Sequence, residues 1–171
     1  MTCYAFIFAR GGSKGLPRKN VLPLDGKPLL AYSIDSAKQA GTFDNIFVST
    51  DDDEIAEVAL KYGAQVIARP KELAQDTSPE WLAWQHAIAW VEDRYGAFDT
   101  FVSLPTTSPL RSCDDITAAI SQLASSGADI CISVTPASRS PYFNMVTRQS
   151  DGEVQLVINP KGQVVRRQDA P

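Results

Sequence analysis

Apolar runs alternate with helical patterns along the first 135 residues. The run over residues 3–9 is apolar throughout, which is typical of a strand buried on both faces. Further short runs predict strands at residues 45–50, 65–68, 100–104 and 130–135. Apolar residues at helical spacing predict helices at residues 28–40, 51–62, 78–95 and 112–126. This alternation predicts an open, mostly parallel α/β sheet with helices on both faces.

The helix ends carry their own signals. Ser78 and Ser112 stand where N-cap residues are expected, and Asp51 followed by Glu54 indicates a start of the capping-box kind. Gly41 and Gly127 come directly after two of the helices, as C-terminal glycines do. In the third helix, aromatic and aliphatic residues recur at helical spacing, and we expect this stripe to face the core. Its members are Trp81, Trp84, Ile88, Val91 and Tyr95.

The pattern changes after residue 135. Short mixed segments follow, and residues 154–159 and 163–165 are candidate hairpin strands separated by turn residues. We therefore predict an α/β domain over residues 1–135 and a small β-rich excursion over residues 136–171.

Composition excludes several classes of protein. The net charge is −4, so general affinity for nucleic acid is not expected. The N-terminal apolar run is too short for a signal peptide or a membrane span. Three cysteines at wide spacing suit neither a disulfide framework nor a zinc site, which favours a cytoplasmic protein.

The loop over residues 10–20 is the strongest sign of ligand binding. It directly follows the first strand and holds four basic residues, three glycines and no acidic residue. Glycines let backbone N–H groups turn toward an anion, and the cations add charge-assisted hydrogen bonds. The loop has neither the Walker spacing nor Gly-x-Gly-x-x-Gly. Phosphate binding is the favoured interpretation, and a solvated basic turn is the alternative.

Other polar residues also follow predicted strands, at the sheet edge where ligands bind in open α/β folds. Residues 51–53 are three aspartates, for which helix capping is favoured over a metal site. Arg69 ends the third strand and is a candidate for contact with a base or a phosphate, with an exposed ion pair as the alternative. Arg111 precedes a helix and could pair with Asp114 or Asp115.

Four segments, in order, resemble the acylneuraminate cytidylyltransferases, which are the CMP-sialic acid synthetases. The most specific is Ala9-Arg10-x-x-Ser13-Lys14-Gly15-Leu16-Pro17-x-Lys19-Asn20. The others are Val48-Ser49-Thr50-Asp51, Arg69-Pro70-x-Glu72-Leu73-Ala74-x-Asp76-Thr77 and Thr107-Ser108-Pro109-Leu110-Arg111. The resemblance covers nearly the whole chain and implies a Rossmann-like nucleotidyltransferase fold. The implied reaction transfers CMP from CTP to a sialic-acid-type nonulosonic acid and releases pyrophosphate.

The resemblance also implies a role for each matching residue. The CTP phosphates and ribose are assigned to Arg10, Ser13, Lys14, Lys19 and Asn20, of which Arg10 and Lys14 would stabilise charge on the departing pyrophosphate. The cytosine is assigned to Arg69 and the segment from Asp76 to Ser78. Thr107 and Ser108 would lie near the sugar. Mg²⁺ is the implied cofactor, and CTP and an acidic nine-carbon sugar are the implied partners.

Two departures from the family pattern bear on the sugar and the base. No glutamine precedes the Pro-Thr-Ser-Pro-like run, which leaves legionaminate- and pseudaminate-like sugars open. Glu80 stands where the family has a small hydroxyl residue at the base. Alternatives to this function are a nucleotidyltransferase for another sugar and a non-catalytic nucleotide-binding domain.

Two expectations concern parts outside the loop. The family's metal-binding aspartates would follow residue 171, so we name no metal ligand and expect this chain alone to bind CTP without turning it over. Residues 136–171 resemble the family's dimerisation arm, which implies a homodimer in the full-length protein. In such a dimer Arg167 would reach toward the partner's site.

Overall fold

The computed structural model describes residues 1–13, 15–135, 139–142 and 144–159. The chain divides into two compact units, Met1–Cys131 and Ile132–Pro171. The domain boundary predicted from the sequence, after residue 135, stays a prediction.

The first unit is an α/β layer structure. In chain order its elements are β1 (Cys3–Phe8), β2 (Pro23–Leu24), β3 (Lys27–Pro28), α1 (Leu29–Ala40), β4 (Asn45–Thr50), α2 (Asp53–Lys61), β5 (Gln65–Ala68), a 3-10 helix (Lys71–Leu73), α3 (Glu80–Tyr95), β6 (Thr100–Ser103) and α4 (Cys113–Ser126). Four strands form one sheet in the order β5-β4-β1-β6, and every pair in it is parallel. The predicted fold class is confirmed.

Helices cover both faces of this sheet. On one face Leu30, Ile55 and Ile116, from α1, α2 and α4, pack with Ile7 of β1. On the other face Val91 of α3 belongs to a separate cluster with aromatic residues of the strands. Successive side chains of β1 point to opposite faces and both faces are covered, so every position of this strand must be apolar. That requirement explains the unbroken apolar run at the start of the sequence.

Helix ends follow the sequence signals at three of the predicted positions. Gly41 and Gly127 adopt left-handed backbone at the C-terminal ends of α1 and α4, with φ of 65° at both. The Ser112 side chain accepts from the Asp115 N–H in a reciprocal capping box. The predicted start at Asp51 is wrong. Asp52 is the N-cap of α2, and its carboxylate accepts from the Ile55 N–H.

Two expectations for α3 are also wrong. The helix begins after Pro79, and the Ser78 hydroxyl donates to the Glu72 carbonyl and makes no cap. The aromatic stripe is only partly in the core, because Trp81 is 58% exposed and the fully buried positions of the helix are Ala83, Ala87 and Val91. Small residues allow α3 to lie close to a sheet face already filled by Phe6 and Phe47, so the larger side chains lie at its margins.

The predicted fifth strand, residues 130–135, is absent from the structure. These residues form no helix or strand, and Ile130, Ile132 and Val134 are 72%, 70% and 84% exposed. An alternating apolar pattern suits a strand, but a strand also requires a hydrogen-bonding neighbour. The described part of the chain supplies none for this segment.

The second unit contains a small antiparallel hairpin. Strand β7 (Val146–Arg148) pairs with β8 (Val154–Leu156), and the turn between them includes Gly152 at a φ of 91°. A strand beginning at Val154 was predicted, but its partner lies before it in the chain. The other candidate strand, residues 163–165, lies outside the described residues. Among the described residues, no helix combines the length and the apolar character that a membrane crossing requires.

Candidate functional site

A cavity of about 730 Å³ lies at the carboxyl ends of β1 and β6. Strand β1 has β4 on one side and β6 on the other, so the strand order reverses here, which is where open α/β sheets bind ligands. The described residues that line the cavity come from four segments: Phe8, Arg10, Ser13, Gly15, Lys19, Asn20, Asp76, Glu80, Ser103, Pro105, Thr106 and Thr107. The basic loop, the turn after β6 and the start of α3 therefore share one concavity.

Arg10 joins the basic loop to the segment that follows β5. Its Nη2 lies 2.7 Å from Asp76 Oδ1, and its Nη1 donates to the Ala74 carbonyl at 3.3 Å. Both charged side chains of the pair are 35% exposed. A second cavity, of about 380 Å³, shares Arg10, Ser13 and Asp76 with the first. The ion pair is thus accessible from both cavities, where an anionic ligand would compete with Asp76 for the guanidinium.

The basic loop is hydrogen-bonded to residues at the start of α2 through Gly11 and Arg18. Asp51 Oδ1 accepts from the Gly11 N–H at 3.1 Å. Arg18 Nη2 donates to Asp52 Oδ1 at 3.1 Å and also contacts Glu54, and Arg18 adopts left-handed backbone with a φ of 59°. The hydrogen bond from Arg18 is the main cause that lowers the pKa of Asp52, and the same bond raises the pKa of Arg18. The charge of Arg18 is therefore already balanced by acidic residues.

Asn20, at the end of the basic loop, is hydrogen-bonded through its buried side chain to Arg10 at the beginning of the loop. It is only 5% exposed, and its Nδ2 donates to the Arg10 carbonyl at 3.1 Å. Its Oδ1 accepts from the Thr106 hydroxyl at 2.9 Å, and its own carbonyl accepts from the Leu30 N–H. Asn20 therefore connects the loop with the turn after β6 through its side-chain amide, and with α1 through its backbone carbonyl.

Arg69 is buried behind the cavity. It is 8% exposed, its Nε and Nη2 donate to the hydroxyl and the carbonyl of Ser49, and its guanidinium lies 5.5 Å from the ring centroid of Phe8. Burial is the main cause that lowers its pKa, with nearby Arg10 in the same direction and Asp51 and Glu80 opposing. Among ion pairs between described residues, none includes Arg69.

The structure brings together most of the residues singled out in the sequence. Six of them line the cavity: Arg10, Ser13, Lys19, Asn20, Asp76 and Thr107. Three others do not line it, since Arg69 lies behind Phe8, Ser78 bonds to Glu72, and Ser108 is exposed in the turn before α4. Lys14 and Arg167 lie outside the described residues. Arg111 donates to the Pro105 carbonyl at 2.8 Å, and of its two expected partners Asp115 interacts with it electrostatically.

The acidic residues at this edge do not form a metal site by themselves. Within the described residues there is no group of three or more His, Cys, Asp or Glu side chains placed to hold an ion. Asp51 is committed to the Gly11 N–H, and Asp52 to Arg18 and the Ile55 N–H. Hard cations need several free oxygen ligands, so these residues do not fit Mg²⁺ without oxygens from elsewhere.

Sequence reasoning missed two features of the site. Thr106 is buried and bonded to Asn20, yet it stands beside Thr107 in a run where nothing distinguishes the two hydroxyls. The bond between Arg18 and Asp52 joins residues 34 apart in the chain. The sequence shows Arg18 in the loop and Asp52 near a helix start, but it does not show that the fold brings the two together.

Comparison with known proteins identifies relatives of this chain. A family model described as cytidylyltransferase matches residues 4–170. A pseudaminic acid cytidylyltransferase of Campylobacter jejuni, strain 81-176, is 39% identical over 143 residues, which are 81% of this chain and 62% of that protein. A CMP-N,N'-diacetyllegionaminic acid synthase of Campylobacter jejuni is 38% identical over 167 residues, 96% of this chain and 70% of that protein. The chain thus spans roughly two thirds of the length of these relatives.

Solved structures share the fold at lower identity. A CMP:2-keto-3-deoxy-manno-octonic acid synthetase, solved in complex with CTP, superposes with a TM-score of 0.62 at 20% identity. The match covers 75% of this chain and 49% of that one, and it supports the fold assignment alone. The family match over almost the entire chain, together with the loop and the cavity described above, leads to one conclusion: the chain belongs to the cytidylyltransferase family.

Proposed function

We propose that this chain carries the CTP-binding region of an enzyme that transfers CMP from CTP to an acidic nine-carbon sugar of the nonulosonic acid class. The observation that carries the proposal is the cavity at the strand-order reversal, where Arg10, Ser13 and Lys19 of the basic loop face Thr107 across one space. The names of the relatives, a pseudaminic acid cytidylyltransferase and a legionaminic acid synthase, agree with this acceptor class.

The proposed chemistry is an in-line displacement at phosphorus. The anomeric hydroxyl of the sugar attacks the α-phosphorus of CTP, a new P–O bond forms, and the bond to the bridging oxygen of the pyrophosphate breaks. Such transfers depend mainly on positioning and on stabilising developing charge. The loop's cations and backbone N–H groups would hold the phosphates, with Arg10 and Lys14 opposite the departing pyrophosphate. Arg10 would exchange its bond to Asp76 for one to the phosphates.

We propose the remaining assignments on the same basis. The cytosine would bind on the side of Arg69, Asp76 and Ser78, and the sugar on the side of Thr107 and Ser108. Mg²⁺ would enter with the triphosphate, because polyphosphates supply oxygen ligands that the described residues lack.

Two further proposals concern the whole protein. The three cysteines are free, which favours a cytoplasmic location. The second unit would be a dimerisation arm, since its hairpin exposes Val146 and Val154 at 56% and 61%. Light scattering should then detect dimers of the full-length protein, in which Arg167 would reach the partner's site. A monomer at high concentration would contradict the arm.

Lys19 offers a direct test of the nucleotide site. Lys19→Ala should weaken CTP binding about 10-fold or more, since a hydrogen bond to a charged group contributes about 1.5–3 kcal/mol. The matched control is Lys61→Ala, which removes a lysine from the exposed last turn of α2, away from the cavity. Calorimetry should show normal CTP affinity for the control. Equal affinity of both variants would exclude Lys19 from the site.

Pyrophosphate release separates the proposed enzyme from its alternatives. The full-length protein should release pyrophosphate from CTP when pseudaminic, legionaminic or N-acylneuraminic acid is present, and not without an acceptor. Release only with a sugar outside this class would favour another nucleotidyltransferase. Tight CTP binding without release for any acceptor would favour a non-catalytic nucleotide-binding domain.

A further inference from the structure

Thr106 is a buried hydroxyl within the wall of the cavity. It is 5% exposed, and it lies in the turn after β6 between Pro105 and Thr107, which line the same cavity. A polar side chain so deeply buried needs a hydrogen-bond partner. Its partner is not in its own turn but in the basic loop, 86 residues earlier in the chain.

The bonds form a short chain in a defined direction. Thr106 Oγ1 donates to Asn20 Oδ1 at 2.9 Å, and Asn20 Nδ2 donates to the Arg10 carbonyl at 3.1 Å. The Arg10 carbonyl can only accept, so it favours the amide orientation in which the nitrogen faces it. The Thr106 hydroxyl then donates its one hydrogen to the amide oxygen and holds the amide from the other side. With the amide reversed, Oδ1 would face the carbonyl oxygen of Arg10, and two acceptors would be opposed.

The turn that carries Thr106 has supports of its own. The Pro105 carbonyl accepts from Ser33 Oγ at 3.3 Å and from Arg111 Nη2 at 2.8 Å. The Leu104 N–H also continues the sheet by donating to the Phe6 carbonyl at 2.9 Å. Loss of the Thr106 hydroxyl would therefore leave the turn in place, and the disturbance would reach the loop through Asn20.

We infer that Thr106 is a positioning residue for the nucleotide loop. Its hydroxyl fixes the Asn20 amide, which fixes the backbone carbonyl of Arg10 at the start of the loop. The same residue is joined by one peptide bond to Thr107, on the acceptor side of the cavity. Thr106 thus couples the loop that would hold the phosphates to the turn that would face the sugar. The inference rests on the proposed function for the identity of the ligand, but not for the hydrogen bonds.

The test compares Thr106→Val, which keeps the shape and removes the hydroxyl, with Thr106→Ser, which keeps the hydroxyl. Thr117→Val is the matched control, because it removes a hydroxyl that donates only to the Asp114 carbonyl within its own helix. The first readout needs no ligand: exchange of the Asn20 side-chain amide hydrogens, followed by NMR. We expect slow exchange in the wild type, the serine variant and the control, and fast exchange in the valine variant.

The second readout is CTP affinity by calorimetry. Loss of one buried hydrogen bond corresponds to weakening of about 5- to 10-fold for Thr106→Val, with the serine variant within about 3-fold of wild type. Unchanged Asn20 exchange in Thr106→Val, or an equal loss in the serine variant, would overturn the inference. If the valine variant does not fold, Thr106→Ala is read by the same criteria. Failure of the wild type to bind CTP would refute the proposed function, while the exchange readout would still decide the role of Thr106.

Discussion

Gly11 is the position where the basic loop comes closest to the rest of the fold. A Cβ added there would lie 2.7 Å from Asp52 Oδ2, 3.0 Å from Asp52 Cβ and 3.2 Å from Asp52 Cγ. Asp52 cannot move away without loss, because Oδ1 accepts from the Ile55 N–H at 3.0 Å and from Arg18 Nη2 at 3.1 Å. Gly11→Ala should therefore either displace the loop or break the cap of α2.

The size of the effect follows from these two outcomes. Loss of an N-cap costs about 0.5–2 kcal/mol, and overpacking of a fixed contact costs about 1–3 kcal/mol. Alanine returns about 0.4–1 kcal/mol by restricting the unfolded chain. After this return is subtracted, the net loss in the free energy of unfolding should be about 0–2.5 kcal/mol, which lowers Tm by up to roughly 10 °C in a chain of this size.

Gly12→Ala is the matched control, since among the described residues beyond its chain neighbours no atom lies within 4 Å of a Cβ at Gly12, and its φ is not in the left-handed region. Urea denaturation should show this control at wild-type stability or slightly above. Asp52→Ala removes Oδ2 and Cγ but keeps the Asp52 Cβ, so the cost of Gly11→Ala should shrink in that background without vanishing. If Gly11→Ala and Gly12→Ala were equally stable, the close approach of the loop to Asp52 would be refuted.

Two further predictions concern the ends of helices. In the folded protein the pKa of Asp52 is lowered from its ordinary value of 3.8, mainly by the hydrogen bond from Arg18. The ionised carboxylate therefore stabilises the fold fully above pH 3.8, and this stabilisation is lost as the pH falls through the lower pKa of the folded state. Urea denaturation between about pH 5 and pH 3 should therefore show a weaker pH dependence for Asp52→Asn than for wild type, and an unchanged dependence would contradict this. Ser112→Ala should lower the free energy of unfolding by about 1 kcal/mol through loss of its capping box, without changing CTP affinity. A loss of affinity would mean that α4 supports the site.

Elements whose signals are local were predictable from the sequence. Strand β4 (Asn45–Thr50) and strand β5 (Gln65–Ala68) have the predicted bounds, because a short apolar run between polar segments defines each of them. Ser112 and Gly127 enclose α4 as expected, since their side-chain and backbone preferences act within one turn.

Other features depend on contacts that the sequence does not reveal. Any of three successive aspartates could cap α2. Asp52 is the cap in the structure, while Asp51 accepts from the Gly11 N–H instead. Residues 130–135 have the pattern of a strand without a neighbour to pair with. Trp81 fits the helical stripe of α3, yet the sheet face is already filled by strand aromatics. In each case the outcome depends on whether residues distant in the chain lie beside the segment.

The candidate site also combines features that local residues determine with features that distant contacts determine. The position of the basic loop at a cavity was predictable, because a loop that follows a strand of an open α/β sheet lies at the edge where such sheets form ligand-sized crevices. The internal support of the loop was not, since Thr106 meets Asn20 only when β6 is placed beside β1. The residues that bind a ligand are thus easier to find in a sequence than the residues that hold them in place.

Nucleotide preference distinguishes a site for CTP from a general triphosphate site. Calorimetry of the protein with CTP, UTP, ATP and GTP, each at the same Mg²⁺ concentration, compares four ligands that share a triphosphate and differ in the base. If the cavity beside β1 and β6 is a cytidylyltransferase site, CTP should bind the most tightly, with Lys19→Ala weakening it. Equal affinity for all four nucleotides, or tighter binding of any nucleotide other than CTP, would contradict the account.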